Sequence, residues 1–218
     1  MARPSRNLDR ALLAAGRALL PERGCAGLSV REVAEAAGVN LGMFHYHFRT
    51  REAFLRELLQ SMYEEMFTQL TVKRDEAWGP VDNLRAALRF LGRFLRMNRP
   101  ILARVMADAL CGDAIAVDFL RRNMPRHLGH MRALVELGQK QGLLAPMPVA
   151  QALGFCAGSL AMPIVFGVAV GQTGALPPRA ARALERSLLS DAAIDQRIEL
   201  ALAAIAAKPA RTTEKKKR

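Results

Sequence analysis

Residues 29–51, SVREVAEAAGVNLGMFHYHFRTR, decide how this chain is read. Ser29 stands three residues before Glu32, the spacing of a capping box, in which each side chain satisfies an otherwise orphan backbone N–H at a helix start. Val30, Val33, Ala34 and Ala37 supply the inward face of that helix. Gly38 ends it, where the chain must take positive φ. Asn40 caps a further helix, of about two turns. Phe44 and Phe48 share one side of it and anchor it on its neighbours. The rest of its surface carries Asn40, Leu41, Gly42, Met43, His45, Tyr46 and His47, flanked by Arg31, Arg49 and Arg51. A short exposed helix of this make-up is what a reader of the DNA major groove needs.

Outward from this segment the pattern stays helical. Leu8, Leu12, Ala15, Leu19 and Leu20 fall on one face and predict a first helix over residues 8–21, preceded by a short basic arm and followed by a loop at 24–28. Thr50 offers a cap for a fourth helix carrying Phe54, Leu55, Leu58, Leu59, Met62 and Met66, running to residue 73. After a break at Trp78, Gly79 and Pro80, helices are predicted over 81–97, 101–110 and 114–141. Pro146 and Pro148 mark the next break. Residues 149–170 are almost wholly apolar, and one or two helices follow, ending near 207. No strand-like alternation or internal repeat interrupts this series, so the fold class is all-α. The tail, KPARTTEKKKR, has no apolar anchors and is expected to be disordered, its basic run serving as a solubilising end.

Composition narrows the function. The 218 residues are 51% hydrophobic, enough for a substantial core, and the net charge is +12. A chain this basic is expected to meet a polyanion. Cys25, Cys111 and Cys156 are odd in number and far apart, which argues against a disulfide framework or a cysteine zinc site and places the chain in a reducing cytoplasm. The N-terminus lacks the apolar region of a signal peptide. The stretch 149–170 has the length of a membrane span, but Gln151, Ser159 and Pro163 interrupt it. It is read instead as a central or subunit-interface helix, with no membrane partner. His127 and His130 sit three apart on one helix, without Asp, Glu or Cys at a helpful spacing, so no metal site and no cofactor is predicted. There is no glycine-rich phosphate loop and no nucleophile elbow, so no catalytic residue is predicted and the chain is not read as an enzyme. An architectural DNA protein would fit the charge but would not need so large an apolar second part.

The run S-V-R-E-V-A-E-A-A-G-V-N-L-G-M-F-H-Y-H-F-R-T-R-E closely resembles the DNA-binding segment of the TetR family of bacterial transcriptional repressors. Gly38, Val39, Gly42, His47, Phe48 and the Arg51-Glu52 pair fall in register, and the likeness covers residues 8–62. The resemblance implies a helix-turn-helix domain (1–50, with the start of a connecting helix at 51–73). It implies a helical ligand-binding and dimerisation domain over 74–207, with the tail at 208–218. It implies a homodimer that binds double-stranded DNA at a palindromic operator and is released by a small-molecule effector. Carried onto this sequence, Ser29 and Arg31 contact phosphate, with Arg31 able to reach a base edge. Leu41, Gly42 and Met43 face the groove, Tyr46 lies further along, and His47 and Arg51 hold phosphates. The family usually has tyrosine at the position of His45. The phosphate contact of that tyrosine is then made by the imidazole or supplied by Tyr46.

For the effector, adaptable and aromatic side chains are the candidates: Met66, Phe90, Phe94, Met106, Phe119, Met124, His127 and Phe155. For the dimer, the candidate surface joins the helix at 149–170 to the one at 190–207, where Ile194, Ile198, Leu202 and Ile205 form a stripe.

Overall fold

The structure is a computed structural model that describes residues 5–72, 77–165, 174 and 176–207. The start of the basic arm, residues 73 and 166–170 of two predicted helices, and the tail at 208–218 lie outside the described residues. Among those described, the chain forms helices and no strand. In order they are α1 (Ser5–Gly27), α2 (Val30–Ala36), α3 (Leu41–Phe48), α4 (Arg51–Val72), α5 (Pro80–Met97), α6 (Arg99–Leu110), α7 (Ala114–Lys140), α8 (Val149–Val165), α9 (Pro178–Leu189) and α10 (Asp191–Ile205).

The predicted starts and stops hold where the signal is local. Pro80 occupies the first turn of α5, where its missing N–H costs nothing, and Asp113 caps α7 by accepting from Ile115 N at 3.0 Å and Ala116 N at 2.9 Å. The end of α1 differs from expectation. The helix passes Pro21 and reaches Arg23, then steps out of helical geometry at Gly24 (φ 68, ψ 178) before a last turn closed by Leu28 N–H donating to Gly24 O at 3.2 Å. Positive φ at this point suits glycine alone at little cost.

Two apolar clusters organise the molecule. The first gathers Leu12, Leu20, Leu28, Val33, Phe44, Phe48, Phe54, Leu55 and Leu58 from α1 to α4, and also Ile101, Val105, Ile115 and Ala116 from α6 and α7. The second joins α4, α5, α7, α8 and α10 around Leu70, Leu84, Leu88, Leu134, Val135, Leu160 and Ile164.

The second cluster corrects one expectation. Ile194, Ile198, Leu202 and Ile205 are each less than 5% exposed within the single chain. α10 lies against α5 and α8, so its apolar stripe is covered by its own chain and is not a surface for a partner. Acidic residues beside that stripe meet a ladder of arginines on α5: Arg85 pairs with Glu199 at 2.9 Å, Arg89 with Asp195 at 3.1 Å and Arg96 with Asp191 at 3.0 Å.

α8 is apolar but two-sided. Ala152, Cys156, Leu160 and Ile164, spaced by four, face the core, while Phe155 (49%) and Met162 (54%) are exposed on the other side. Among the described residues no helix is long and apolar enough to cross a membrane.

Candidate nucleic-acid interface

The α2–α3 unit is built by its caps. Ser29 Oγ accepts from Glu32 N at 3.5 Å, and its own hydroxyl proton is left to donate elsewhere. The reciprocal carboxylate of the box turns aside: Glu32 accepts from Arg23 Nε at 3.1 Å. Gly38 has φ 66, and Val39 N–H donates back to Ala34 O at 3.0 Å, closing the turn. Asn40 Oδ1 accepts from Met43 N at 2.9 Å, which leaves the side-chain amide free to donate outward. Phe44 and Phe48 are buried, and both rings pack on Phe54 of α4, with centroids 5.1 and 4.9 Å away. This fixes the rotation of α3 and so the face it shows to solvent.

That face carries most of the predicted contact residues. Arg31, Asn40, Gly42 and His45 are exposed, as are Leu41 (44%) and Tyr46 (75%), and Met43 is half-buried. A Cβ at position 42 would meet only Asn40 Oδ1 within the chain, at 3.2 Å, so the core does not demand glycine there. Arg49 and His45 close the helix: Arg49 N–H donates to His45 O at 3.0 Å, and His45 Nδ1 lies 3.1 Å from Arg49 O.

Two predicted phosphate ligands are placed differently. His47 is 7% exposed at its side chain and turns Nδ1 onto the carboxylate of Asp9 in α1. Arg51 sits at the start of α4, but its guanidinium faces the end of α1. It donates from Nε to Leu28 O at 2.7 Å and from one terminal nitrogen to Ala26 O at 2.7 Å and to Cys25 O. Both side chains hold the head together from inside, because backbone carbonyls at a helix end and a neighbouring carboxylate offer partners that their sequence neighbours do not show.

Sequence reasoning also missed the joint behind this head. Asp108 of α6 is 8% exposed, and its Oδ2 accepts from Cys25 N at 2.7 Å. Arg104 donates to the other Asp108 oxygen at 3.0 Å and to Arg23 O at 3.4 Å. Burial, with Asp108 and Asp113 adding to it, pushes the Cys25 thiol up to about 12. An acid inside an apolar helix was the visible signal, but its partner is 83 positions away.

The eight candidate effector-contact residues do not form one lining. Met66 is packed in the second core cluster, with Phe90, Phe94 and Phe119 half-buried against it. Met106 and Met124 are also half-buried. Phe90 borders an open groove of about 520 Å³ together with Trp78, Arg85, Arg89 and Arg93. Phe119 borders another, of about 380 Å³, with Arg56, Gln60 and Asp118. Phe155 is corrected: at helical period it lies opposite the buried face of α8 and points out of the body.

His127 sits in a polar cluster between α4 and α7. Tyr63 Oη donates to Asn123 O at 2.8 Å and lies 3.3 Å from His127 Nδ1, which must then carry the proton. Burial holds His127 below the ordinary histidine range and raises Tyr63. Arg126 stacks over Phe67 at 4.4 Å and pairs with Glu64, keeping that carboxyl below its usual range. Among the described residues no group of three or more His, Cys, Asp or Glu is arranged to hold a metal ion.

A capped helix pair with an exposed second helix, on an all-helical body, defines the helix-turn-helix class. The sequence profile described as bacterial regulatory proteins, tetR family, matches residues 12–58, so this segment is similar to that family. The HTH-type transcriptional repressor KstR2 of Mycobacterium tuberculosis H37Rv is 30% identical over 74 residues, 34% of this chain and 37% of its own length. The tetracycline repressor protein class A from transposon 1721 of Escherichia coli is 37% identical over 60 residues, 28% of each chain. The chain thus spans little more than a third of the KstR2 length it matches. The fold extends much further. The solved structure of the ketosteroid transcriptional regulator KstR2 of M. tuberculosis covers 95% of this chain, and 98% of its own, with a TM-score of 0.68 at 18% identity. The transcriptional regulator FadR from Bacillus subtilis, solved with stearoyl-CoA, covers 84% of this chain and 98% of its own, with a TM-score of 0.63 at 17% identity.

Proposed function

We propose that this protein is a dimeric transcriptional repressor that binds a palindromic operator through α2 and α3 and releases it on binding a small apolar effector. The observation that carries the reading is the surface of α3: a helix fixed from behind by Phe44 and Phe48 that presents Asn40, Leu41, Gly42, His45 and Tyr46 to solvent. Leu41 and Met43 offer apolar contact to thymine methyl groups, while Arg31, Asn40 and Tyr46 supply the hydrogen bonds that read base edges or fix the register on phosphate. Ser29 donates to phosphate through its remaining proton. His47 and Arg51 serve this surface indirectly, by holding α3 and α4 on α1.

The dimer surface we assign is the outer face of α8 with its neighbour α10. Phe155, Gly158 and Met162 lie on the former, and Leu200, Ala203 and Ala204 are exposed on the latter. The effector enters the second apolar cluster, displacing the half-buried rings of Phe67, Phe90, Phe94 and Phe119. A long acyl chain or a steroid suits such a lining, in keeping with the stearoyl-CoA bound by FadR and the ketosteroid in the description of KstR2. The reading places the protein with the DNA, in the cytoplasm.

Footprinting of the DNA flanking its own gene tests this, repeated with an acyl-CoA series and a ketosteroid. The expected result is a symmetric protected site that is lost on adding one compound. Absence of any protected site, with full-length folded protein, would refute DNA binding at that locus.

A further inference from the structure

Arg49 is the one non-glycine with positive φ among the described residues, at φ 58 and ψ −55. Thr50 N–H donates across it to Phe48 O at 2.5 Å, closing a three-residue γ-turn of the rare, strained hand. Residue 45 supports this turn twice, through its backbone carbonyl and through its ring, whose Nδ1 lies 3.1 Å from Arg49 O. A carbonyl oxygen only accepts, so Nδ1 carries the proton in every ionisation state that keeps this bond. The consequence falls on Nε2. In the neutral ring it is a bare acceptor, and it becomes a donor only in the imidazolium. The ring sits on the exposed surface of α3, in its last turn, beside Tyr46.

From this geometry we propose that His45 is a proton-linked DNA contact: with Nδ1 committed to the Arg49 carbonyl, Nε2 donates to a backbone phosphate only as the imidazolium, so operator binding takes up a proton at each recognition helix. The inference rests on the reading of α3 as the groove helix. Phosphate oxygens only accept, so a neutral ring in this tautomer would face them lone pair to lone pair. The polyanion favours the cationic form in the complex. The charged groups on the elements packed against α3 are Arg31, Glu32 and Glu35 on α2, Arg51 and Glu52 at the start of α4 and Asp9 on α1, with His47 on α3 itself and Arg49 at its end. Glu32 is engaged by Arg23, Arg51 by three carbonyls and His47 by Asp9, so the large change in field on binding comes from the DNA. Phosphate raises the imidazole pKa in the complex above its value in the free protein. The added affinity is therefore complete below the free value and is lost as pH rises through the bound value. A rise of about one unit makes binding roughly tenfold tighter per half-site at the acid end of the window.

The test uses the full-length protein and duplexes that it enriches from random-sequence DNA. Dissociation constants are measured at fixed salt near pH 6 and near pH 8 for wild type, His45→Gln and His45→Arg. The wild type is expected to bind about tenfold or more weakly at the higher pH. His45→Gln should have a much flatter profile, and His45→Arg should bind tightly at both. Any proton uptake at His47 is common to all three and cancels in the comparison. Equal pH slopes for wild type and His45→Gln would overturn the proposal while leaving DNA binding intact. Failure to enrich any duplex would overturn both. Imidazole 15N shifts of the free protein at high pH give an independent reading: the signal absent from His45→Gln should show a protonated Nδ1 and a bare Nε2. The opposite tautomer would remove the geometric basis.

Discussion

Asp108→Ala should weaken the joint between body and head without touching the proposed DNA surface. The carboxylate is 8% exposed and accepts the Cys25 N–H at 2.7 Å, a charge-assisted bond to a buried donor. Removing it forfeits that bond and leaves the N–H unpaired, a loss of about 1.5–3 kcal/mol. The Arg104 partner is 39% exposed at its side chain, so water screens it and its lost ion pair adds at most about 1 kcal/mol. The sum is a destabilisation of about 2–4 kcal/mol. Asp108→Asn keeps an acceptor for Cys25 N–H and should cost about 1 kcal/mol or less. Urea denaturation of wild type and both variants at one protein concentration measures this directly, since the stability of the proposed dimer would depend on concentration. A loss below about 0.5 kcal/mol for Asp108→Ala, the range of an ordinary surface change, would refute the argument that this buried bond holds α1 to α6. Equal losses for Ala and Asn would show that the charge, and not the bond to Cys25, matters. If α6 transmits the effector signal through this joint, Asp108→Ala should also bind operator with a reduced response to effector.

Arg51→Ala should lower the stability of the head by about 2–3 kcal/mol, because its guanidinium serves the carbonyls of Cys25, Ala26 and Leu28. Its effect on operator affinity should follow the loss of folded head in a melting curve; a salt slope reduced by one phosphate contact with unchanged melting would restore it as a DNA ligand. Thiol alkylation of the native protein should label Cys111, which is exposed, and spare Cys25 and Cys156, which are buried with thiols pushed up by desolvation; rapid native labelling of three thiols per chain would contradict this burial. Phe155→Glu should yield a folded monomer by analytical ultracentrifugation, whereas Ile198→Glu should unfold the chain; a well-folded Ile198→Glu monomer would return the α10 stripe to the subunit interface.

What the sequence displayed well was chemistry between near neighbours. Ser29 with Glu32, Asn40 with Met43, Gly38 and the phenylalanines at 44 and 48 all act within a turn or two of the chain, so their spacing alone fixes the α2–α3 unit. The stripe Ile194, Ile198, Leu202 and Ile205 was equally visible, but periodicity says only that a face is buried. It does not say whether α5 and α8 of the same chain or a second copy covers it. His47, Arg51 and Asp108 fail for a related reason. Each is a charged or polar group whose partner lies far off in sequence, at Asp9, at residues 25–28 and at Cys25. The contacts of Arg51 and Asp108 have one logic. The turn at 23–28 is gripped by Arg51 through its carbonyls and by Asp108 and Arg104 through the Cys25 N–H and the Arg23 carbonyl. This short, glycine-broken segment is therefore one tie of the head carrying α3 to both the connecting helix and the body, beside the apolar packing of Ile101, Val105, Ile115 and Ala116. A shift of α6 larger than the slack of a hydrogen bond would either move that segment or break the bond of Asp108 to it, which gives a residue outside α2 and α3 a route by which to act on them.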